Sequence, residues 1–261
     1  MTAKQRQQQH GIQSIEIGGR LLMALAKARQ PQMLRDLAAQ AGMPAAKAHR
    51  YLVSLGRMGL VEQQVETGLY DLGAFALELG LSALARLDPV SVASGSLSDL
   101  CRETGQTVAL AVWANQGATM VRWLGADTPV AASLRLGSVM PLTRSATGGA
   151  FLAYLPGEAT FPRVKKELAD NARRGLSPAT REEVDAAIAR TRAQGYASTS
   201  EFIPGISGMA VPVFDHAGGM ALALVVLGYS KPFDAAFSKI SAAALHTAAV
   251  LSERLGARKS A

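Results

Sequence analysis

Apolar residues in the first quarter of the chain recur at three- to four-residue spacing in three successive stretches. This spacing predicts amphipathic helices over residues 14–29, 33–42 and 44–58. Ser14 stands where a hydroxyl can cap the first helix, and Pro44 is favoured in the first turn of the third because no N–H is needed there. After Gly59, two extended pieces surround a Glu-Thr-Gly turn, which indicates a β-hairpin. Three helices and a hairpin predict a winged helix-turn-helix domain over residues 12–73.

A further helical pattern follows the hairpin and stops at Asp88-Pro89, so we expect a linker helix within residues 74–88. Beyond it, helices are predicted at 89–104, within "MPLTRSATGGAFLAYLP", near 160–170, at 180–194 and from about 235 to 255. Apolar strands are predicted at 107–114, 118–125, 130–135, 208–214 and 221–228. Consecutive strands joined by short turns indicate an antiparallel sheet flanked by helices, and hence an α+β fold with a second domain over 89–257. We expect flexible tails at 1–11 and 258–261.

The net charge of +7 is concentrated near the start of the chain. Residues 1–75 contain nine Lys and Arg against five Asp and Glu, a net +4, whereas the other 186 residues contain eighteen against fifteen, a net +3. Positive charge is therefore about three times denser in the N-terminal region. Such an asymmetry is typical of a domain that binds a polyanion.

Cysteine, histidine and apolar content indicate a cytoplasmic protein without a bound metal. Cys101 is the only cysteine, so no internal disulfide can form, and the four histidines show no metal-ligand spacing. The first twenty residues are polar and lack the apolar segment of a signal peptide. The run "MALALVVLG" is far shorter than the ~20 residues needed to cross a bilayer. We therefore expect no membrane partner and no cofactor.

The stretch "DLAAQAGMPAAKAHRYLVSLGRMGLVE", residues 36–62, has the spacing of a helix-turn-helix. Ala38 lets the two helices approach closely, Gly42 can adopt the left-handed conformation of the turn, and Met43 supplies the apolar residue after it. In such pairs the second helix enters the major groove. Candidates for contacts with phosphates or bases are Lys47, His49, Arg50 and Arg57 on that helix and Gln63, Gln64 and Thr67 in the wing. The alternative is that these residues form the solvated face of a helical subdomain that binds protein.

The sequence resembles the IclR-type bacterial transcription regulators over nearly its whole length from Ile12. Three separated motifs carry the resemblance: "IQSIEIGGRLLMALA" with the helix-turn-helix, "LRLGSVMPLTRSATGGAFLAYLP", and "GYASTSEFIPGISGMAVPVFD" with the closing "LSERLG". The resemblance implies a winged-helix DNA reader, a linker helix, a C-terminal GAF-like effector-binding domain, and dimers or dimers of dimers on operator DNA. Many relatives have Lys-Ser-Thr where this chain has Ala45, Ala46 and Lys47. Hydroxyl contacts there are lost or moved, so DNA readout is expected to depend on Lys47, His49 and Arg50.

The segment "RSATGGA", residues 144–150, is a small-residue loop that opens a helix. Free backbone N–H groups and the helix dipole at such a point favour an anion such as a carboxylate. In relatives, backbone amides here and groups around "EFIPGISG" hold a small organic acid. The resemblance and the need for apolar walls give as candidates Arg144, Ser145, Ala146, Thr147, Ser200, Glu201, Ser207 and Gly208, with Leu134, Met140, Leu142 and Met209 as walls. Relatives often have Cys where Gly208 stands, and the segment 196–204 is one residue shorter than in many of them, which predicts a different ligand geometry.

These features predict a cytoplasmic, ligand-responsive regulator that binds double-stranded operator DNA as a homodimer or a dimer of dimers. Its effector is expected to be a small organic acid, and many relatives suggest an aromatic acid and a catabolic operon. No catalytic residue is expected, because Asp215-His216 has turn chemistry and no nucleophile elbow, metal pair or phosphate-binding glycine motif accompanies it. Two alternatives remain: an enzyme that uses the C-terminal domain, and a sensor that binds protein.

Overall fold

The computed structural model of the chain describes residues 11–28, 30–126, 134–176 and 179–257, with every side chain except that of Glu201. The chain forms two compact units that divide between Leu87 and Asp88. Each unit has its own buried apolar cluster. The flexible tails predicted at 1–11 and 258–261 lie outside the described residues, apart from residue 11.

The first unit contains the three helices and the hairpin that the spacing of apolar residues predicts. Its elements are α1 (Gln13–Lys27), α2 (Leu34–Gln40), α3 (Ala45–Arg57), β1 (Val61–Gln63), β2 (Tyr70–Leu72) and α4 (Ala74–Ala85). The capping role predicted for Ser14 is wrong, because α1 begins one residue earlier and Ser14 already lies inside its first turn. Ile12 occupies the N-cap position, where it offers no side-chain acceptor. β1 and β2 pair in antiparallel register, with Val61 opposite Leu72.

Apolar side chains from all three helices meet in one cluster. Leu21 of α1, Leu37 of α2 and Leu52 of α3 are fully buried there. A helix as short as α2 is marginal by itself, so burial of its apolar face stabilises it. Gln32 and Tyr70 form an isolated antiparallel bridge, with N···O distances of 2.9 Å in both directions. The hairpin is thereby attached to the loop that precedes α2.

The second unit contains an antiparallel sheet with helices on both faces. Its helices are α5 (Pro89–Thr104), α6 (Ala146–Tyr154), α7 (Gly157–Arg173), α8 (Arg181–Gln194), α9 (Ser230–Ala235) and α10 (Phe237–Arg254). Its strands are β3 (Thr107–Ala114), β4 (Gly117–Leu124), β5 (Ala197–Ile203), β6 (Ile206–Phe214) and β7 (Met220–Tyr229), in the order β4-β3-β7-β6-β5. The antiparallel pairing of these strands and the α+β class are both confirmed.

Alternation along the strands divides the core of this unit into two layers. In β7, Ala223, Val225 and Leu227 belong to the cluster that includes the apolar residues of α6. Leu224 and Val226, which alternate with them, are buried on the opposite face, against which α5 and α10 pack. Both faces are covered, which explains why β7 is an unbroken apolar run in the sequence.

Parts of the second unit differ from the sequence prediction. The strand predicted at 130–135 lies mostly outside the described residues, and positions 134 and 135 belong to no strand. β5 and α9 were not predicted. β5 lies at the edge of the sheet, and the irregular pairing in its middle gives it no regular alternation. α9 contains Pro232 in its first turn, where a proline is tolerated because the N–H that it lacks would have no acceptor within the helix.

Candidate functional site

The turn between α2 and α3 has helix-turn-helix geometry. Gly42 adopts a φ of +65°, and the Met43 N–H donates to the Ala38 carbonyl at 3.0 Å. A residue with a Cβ is strained at this φ, which accounts for the glycine. Ala38 and Ala48 are buried in the cluster between the helices, where larger side chains would separate them. The predicted corner is confirmed.

Most residues predicted to contact DNA lie on the exposed side of α3. The exposed members of this set are Ala45, Ala46, His49, Arg50 and Arg57. Lys47 is half-buried. The Arg50 and Arg57 side chains make no hydrogen bond or ion pair with any residue that the structure describes. Their guanidinium groups therefore keep all their donors for another molecule.

His49 is attached to the hairpin. Its Nδ1 lies 3.3 Å from the hydroxyl of Tyr70 in β2. Tyr70 is buried, and its backbone is paired with that of Gln32. One ring nitrogen of His49 is thus engaged within the unit, which leaves Nε2 for another partner. The sequence gives no sign of this link between α3 and the hairpin.

The loop between β1 and β2 is held by its own side chains. The Gln63 amide donates to the Gly68 carbonyl at 2.9 Å, and the Thr67 hydroxyl donates to the Gln64 side-chain oxygen at 2.7 Å. The three predicted wing residues are exposed, but part of their hydrogen-bonding capacity shapes the loop. The Gln64 amide nitrogen keeps its two donors. Val65, at the tip of the loop, is 99% exposed.

Helix α4 starts directly on the corner between α3 and β1. The Phe75 N–H donates to the Gly59 carbonyl at 3.0 Å, and the Gly73 N–H donates to the Leu60 carbonyl at 3.0 Å. A Cβ on Gly73 would collide with the Gly59 carbonyl, so only glycine allows this approach. The first turn of α4 is therefore fixed to the end of α3. No residue of α4 is buried. Its exposed apolar side chains are those of Phe75, Leu77, Leu79, Leu81 and Leu84.

In the second unit, α6 begins at the predicted small-residue loop. Ser145 caps the helix: its hydroxyl accepts from the Gly148 N–H at 2.9 Å and donates to the Pro141 carbonyl at 2.6 Å. The N–H groups of Ala146 and Thr147 have no acceptor among the described residues. These two donors stand at the positive end of the helix dipole, where an anion is favoured.

A carboxylate from α7 holds the loop that precedes α6. Glu167 Oε2 accepts from the Leu142 N–H at 2.6 Å, and Oε1 accepts from the N–H and the hydroxyl of Thr143 at 3.0 and 2.6 Å. Hydrogen bonds to a carboxylate are stronger than those between neutral groups. Gly148 packs so closely on the backbone of Pro141 and Leu142 that no Cβ fits. Nothing in the sequence around Glu167 indicated this role.

Two cavities meet at the start of α6. An open cleft of about 830 Å³ is lined by α6, α8 and β5, and a mainly apolar chamber of about 40 Å³ adjoins it. Ser145, Ala146 and Gly208 line both. Of the other predicted residues, Leu142, Arg144, Ser200 and Ser207 line the cleft, and Leu134, Met140 and Thr147 line the chamber. The fold therefore brings most of the predicted residues together.

Met209 is the exception, and its predicted role as a pocket wall is wrong. Successive side chains of a strand point to opposite faces of the sheet, so Gly208 faces the cavities and Met209 faces away from them. Met209 is fully buried outside the cluster that surrounds α6. The side chain of Glu201 lies outside the described residues. Phe202, which the sequence did not indicate, lines both cavities from the irregular part of β5.

Outside these two regions, few side chains in the described part of the chain are placed to bind a metal ion or to ionise unusually. Among these residues, no cluster of three or more His, Cys, Asp or Glu side chains is placed to hold a metal ion. Nor does any helix there have the length and apolar character needed to span a membrane. Burial raises the pKa of the Tyr154 phenol at the end of α6, although the charge of Arg192 acts in the opposite direction. Tyr154 is therefore neutral at physiological pH and adds no negative charge to this helix.

A tight helix-turn-helix corner, an exposed basic helix and a hairpin define the class of helix-turn-helix transcription regulators. Comparison with known families identifies the particular one. Residues 14–65 match the model of the IclR helix-turn-helix domain, and residues 81–252 match that of the bacterial transcriptional regulator IclR C-terminal domain. The chain belongs to the IclR family of bacterial transcriptional regulators, and its first unit carries the family's DNA-binding domain.

Individual relatives agree with this assignment. The chain is 32% identical over 205 residues to the glycerol operon regulatory protein of Streptomyces coelicolor, covering 78% of this chain and 80% of that protein. It is 29% identical to the HTH-type transcriptional regulator XynR of Escherichia coli, covering 82% of this chain and 84% of that protein. The crystal structure of Pseudomonas aeruginosa HmgR superposes with a TM-score of 0.88 at 34% identity, covering 95% of this chain and 100% of that one.

Proposed function

We propose that this regulator binds a specific double-stranded operator as a homodimer or a dimer of dimers, and that a small organic acid bound at the start of α6 changes operator occupancy. The observation that carries the proposal is the uncommitted guanidinium of Arg50 on the exposed face of α3. An arginine that neutralises no carboxylate of its own unit is available to a phosphate or a base. The rest of the proposal follows from what surrounds α3 and α6.

The groups on α3 and the hairpin divide by position into base readers and phosphate contacts. Arg50 lies in the middle of α3, where a recognition helix meets base edges. Arg57 lies in the last turn, about 10 Å further along the axis, and suits a phosphate. The Gln64 amide and the half-buried Lys47 supply further donors for the DNA backbone. In a two-fold symmetric dimer, the α3 helices of the two copies would occupy major grooves ~34 to 36 Å apart.

The start of α6 suits a carboxylate with a hydrocarbon portion. The N–H groups of Ala146 and Thr147 supply two donors, and the exposed Arg144 lines the adjoining cleft. The open cleft of about 830 Å³ has room for the rest of the acid, and the chamber of about 40 Å³ next to Met140 can receive one small apolar group of it. An apolar pocket with a few convergent polar groups is the usual form of a small-molecule site. No cofactor and no catalytic group are needed for this role.

Helix α4 supports self-association. Its exposed leucines leave an apolar helix with no buried residue in the single chain. Contiguous apolar surface of this kind marks an interaction site, and a second copy of the chain presents the same surface in a two-fold arrangement. Because the first turn of α4 is fixed at Gly59, a change in how two α4 helices pack would alter the separation of two recognition helices. The acid would act by binding one arrangement more tightly than the other.

The proposed setting is the bacterial cytoplasm, where the chromosome lies, and the proposed target is a catabolic operon. The test is a mobility shift with DNA from the protein's own upstream and neighbouring promoters, at two salt concentrations and with random DNA as competitor. We expect a competitor-resistant shift that weakens as salt rises. Benzoate, phenylacetate and propionate are then added, with benzamide and phenylacetamide as uncharged controls of nearly the same shape.

We expect at least one acid to change the shift while its amide does not, because the α6 donors select a negative charge. A salt-sensitive shift that random competitor DNA removes completely would indicate nonspecific binding and would contradict binding to a specific operator. Consumption of an acid during the incubation, measured by chromatography, would contradict a purely binding role and favour the enzyme alternative.

A further inference from the structure

Near the middle of the exposed face of α3, most polar side chains already make a hydrogen bond within the protein. One arginine is the main exception. His49 Nδ1 lies 3.3 Å from the Tyr70 hydroxyl, which leaves only Nε2 for DNA, and the Ser54 hydroxyl donates to the Arg50 carbonyl at 3.1 Å within the helix. Lys47 is half-buried in the first turn. The guanidinium of Arg50 is therefore the main donor that the middle of this helix presents to a groove.

Apolar side chains flank Arg50 on both sides along the helix. Ala46, Arg50 and Val53 stand at positions i, i+4 and i+7, so they share one stripe of α3. Ala46 is exposed, and Val53 is 41% exposed. At a rise of 1.5 Å per residue the stripe is ~10 Å long, which corresponds to about three base pairs at 3.4 Å each.

We infer that this stripe reads a guanine flanked by thymines in the major groove. Arg50 donates to O6 and N7 of the guanine, while Ala46 and Val53 contact the C5-methyl groups of the thymines. Arginine to guanine is the commonest specific base contact, and the thymine methyl is the apolar group that the major groove presents. The inference rests on the proposed function, because it assigns bases within the operator which that function requires.

The composition of α3 lacks the side chains that most often pair with adenine and cytosine. Its sequence, AAKAHRYLVSLGR, contains no Asn or Gln to pair with adenine and no Asp or Glu to accept from the cytosine amino group. Ser54 donates its only hydrogen to the Arg50 carbonyl, so its oxygen could only accept from a base. Guanine and thymine are thus the two bases that the stripe of Ala46, Arg50 and Val53 is equipped to recognise directly.

The test starts by selecting a bound sequence from a random double-stranded DNA library with the full-length chain. Single thymines in the selected sequence are then replaced by uracil, which removes only the methyl group. Single guanines are replaced by 7-deazaguanine, which removes only the N7 acceptor. We expect one guanine whose replacement weakens binding about 10-fold, and thymines within about three base pairs of it whose replacement weakens binding about fourfold each.

Three exposed positions connect these effects to the stripe. Val53→Ala is expected to abolish the sensitivity to uracil at one position, while the guanine sensitivity and the salt dependence stay as in the wild type. Arg50→Ala is expected to abolish the sensitivity to 7-deazaguanine. Val65→Ala removes an apolar side chain that is even more accessible, 99% exposed against 41% for Val53, but lies at the wing tip, so it should retain both sensitivities. Thermal unfolding of each variant should stay close to that of the wild type, because none of the three residues belongs to the buried cluster of the first unit.

The outcomes separate the base assignment from the proposed function. A selected sequence without this guanine and thymine pattern, or uracil sensitivity that Val53→Ala leaves unchanged, would overturn the assignment while specific DNA binding stands. If the library yields no enriched sequence at all, the proposed operator binding fails and the base assignment fails with it.

Discussion

The two binding regions of this protein are constructed in different ways. The DNA face of the first unit comes from one continuous stretch, with α2, its turn, α3 and the hairpin following one another within residues 34–72. The proposed acid site of the second unit is assembled from the start of α6, Glu167 of α7, Phe202 of β5 and Gly208 of β6. Local conformation therefore shapes the first region, whereas strand register and loop packing shape the second.

This difference decides how each region responds to substitution. On α3, a side chain such as Arg50 projects from a helix whose packing does not depend on it, so its removal should change binding and leave stability intact. Around α6, the groups that position the two free N–H donors also hold the loop before α6 in place. A change there should alter the stability of the second unit and its acid binding together.

The largest expected effect concerns the region around α6, where we expect a substitution to lower the stability of the second unit. In Gly148→Ala, the new Cβ would meet the backbone of Pro141 and Leu142, which cannot move aside as a side chain can. We expect a loss of about 3 kcal/mol in the free energy of unfolding of the second unit. Both tryptophans, Trp113 and Trp123, lie in this unit, so denaturant unfolding followed by tryptophan fluorescence reports on it selectively.

Gly95→Ala is the matched control for that variant. Gly95 also lies in a helix of the second unit, but nothing would contact its Cβ within 4 Å. We expect Gly95→Ala to stabilise the unit by roughly 0.5 to 1 kcal/mol, because alanine favours the helix over glycine. Equal effects of the two substitutions would mean that α6 is not seated on the loop as described.

Glu167→Ala sharpens the contrast by removing a group that supports the acid site without lining either cavity. The N–H groups of Leu142 and Thr143 would lose their acceptor, at a cost of about 2 kcal/mol in stability. We expect weaker binding of the responsive acid, measured by calorimetry, with operator affinity in the absence of acid unchanged. Glu158→Ala, an exposed acidic position in the first turn of the same helix, should leave acid binding unchanged and cost less than about 1 kcal/mol of stability.

Tyr70→Phe probes the hydrogen bond that joins α3 to the hairpin. The substitution removes the hydroxyl 3.3 Å from His49 Nδ1 and keeps the packed ring. We expect operator affinity to fall by roughly 0.5 to 1.5 kcal/mol, about two- to tenfold, because His49 and α3 lose a link to the hairpin. Tyr51→Phe on α3, whose phenol bonds to no described residue, is the control in the same mobility-shift titration.

The smallest expected effect is that of Gly208→Ala. A Cβ at this position would make ordinary contacts of 3.6 Å with the Val226 carbonyl and 3.7 Å with Leu227, so it fits without strain. We expect stability to change by less than about 1 kcal/mol. The added methyl group narrows both cavities, so the preference among acids should shift toward smaller ones. An unchanged order of acid affinities would place the acid away from β6.

The first unit could be predicted closely because its signals are local. Gly42 at the turn and the spacing of the apolar residues on α3 depend on neighbours in the sequence. The hydrogen bond between His49 and Tyr70 was missed, because it joins residues twenty-one positions apart that carry no shared pattern. Ser14 was misjudged because a serine one residue inside a helix looks the same in the sequence as one at its cap.

The second unit was predicted in outline and not in its details. The apolar strands β3, β6 and β7 stand out in the sequence, whereas β5 has mostly polar residues and an interrupted pairing at the sheet edge. Met209 was placed in the pocket because a sequence does not reveal which face of β6 is turned toward α6. The contribution of Glu167 depends on how α7 packs, which no short motif encodes.

Hydrogen exchange with and without the selected operator tests the central claim most directly, because it reports contact along the whole chain in one experiment. The account predicts that operator DNA slows amide exchange within α3 and the β1–β2 hairpin, and that a scrambled DNA of equal length and charge does so much less. Protection that is the same for both DNAs, or that leaves α3 unchanged while appearing elsewhere, would contradict the assignment of α3 and the wing as the operator-reading surface.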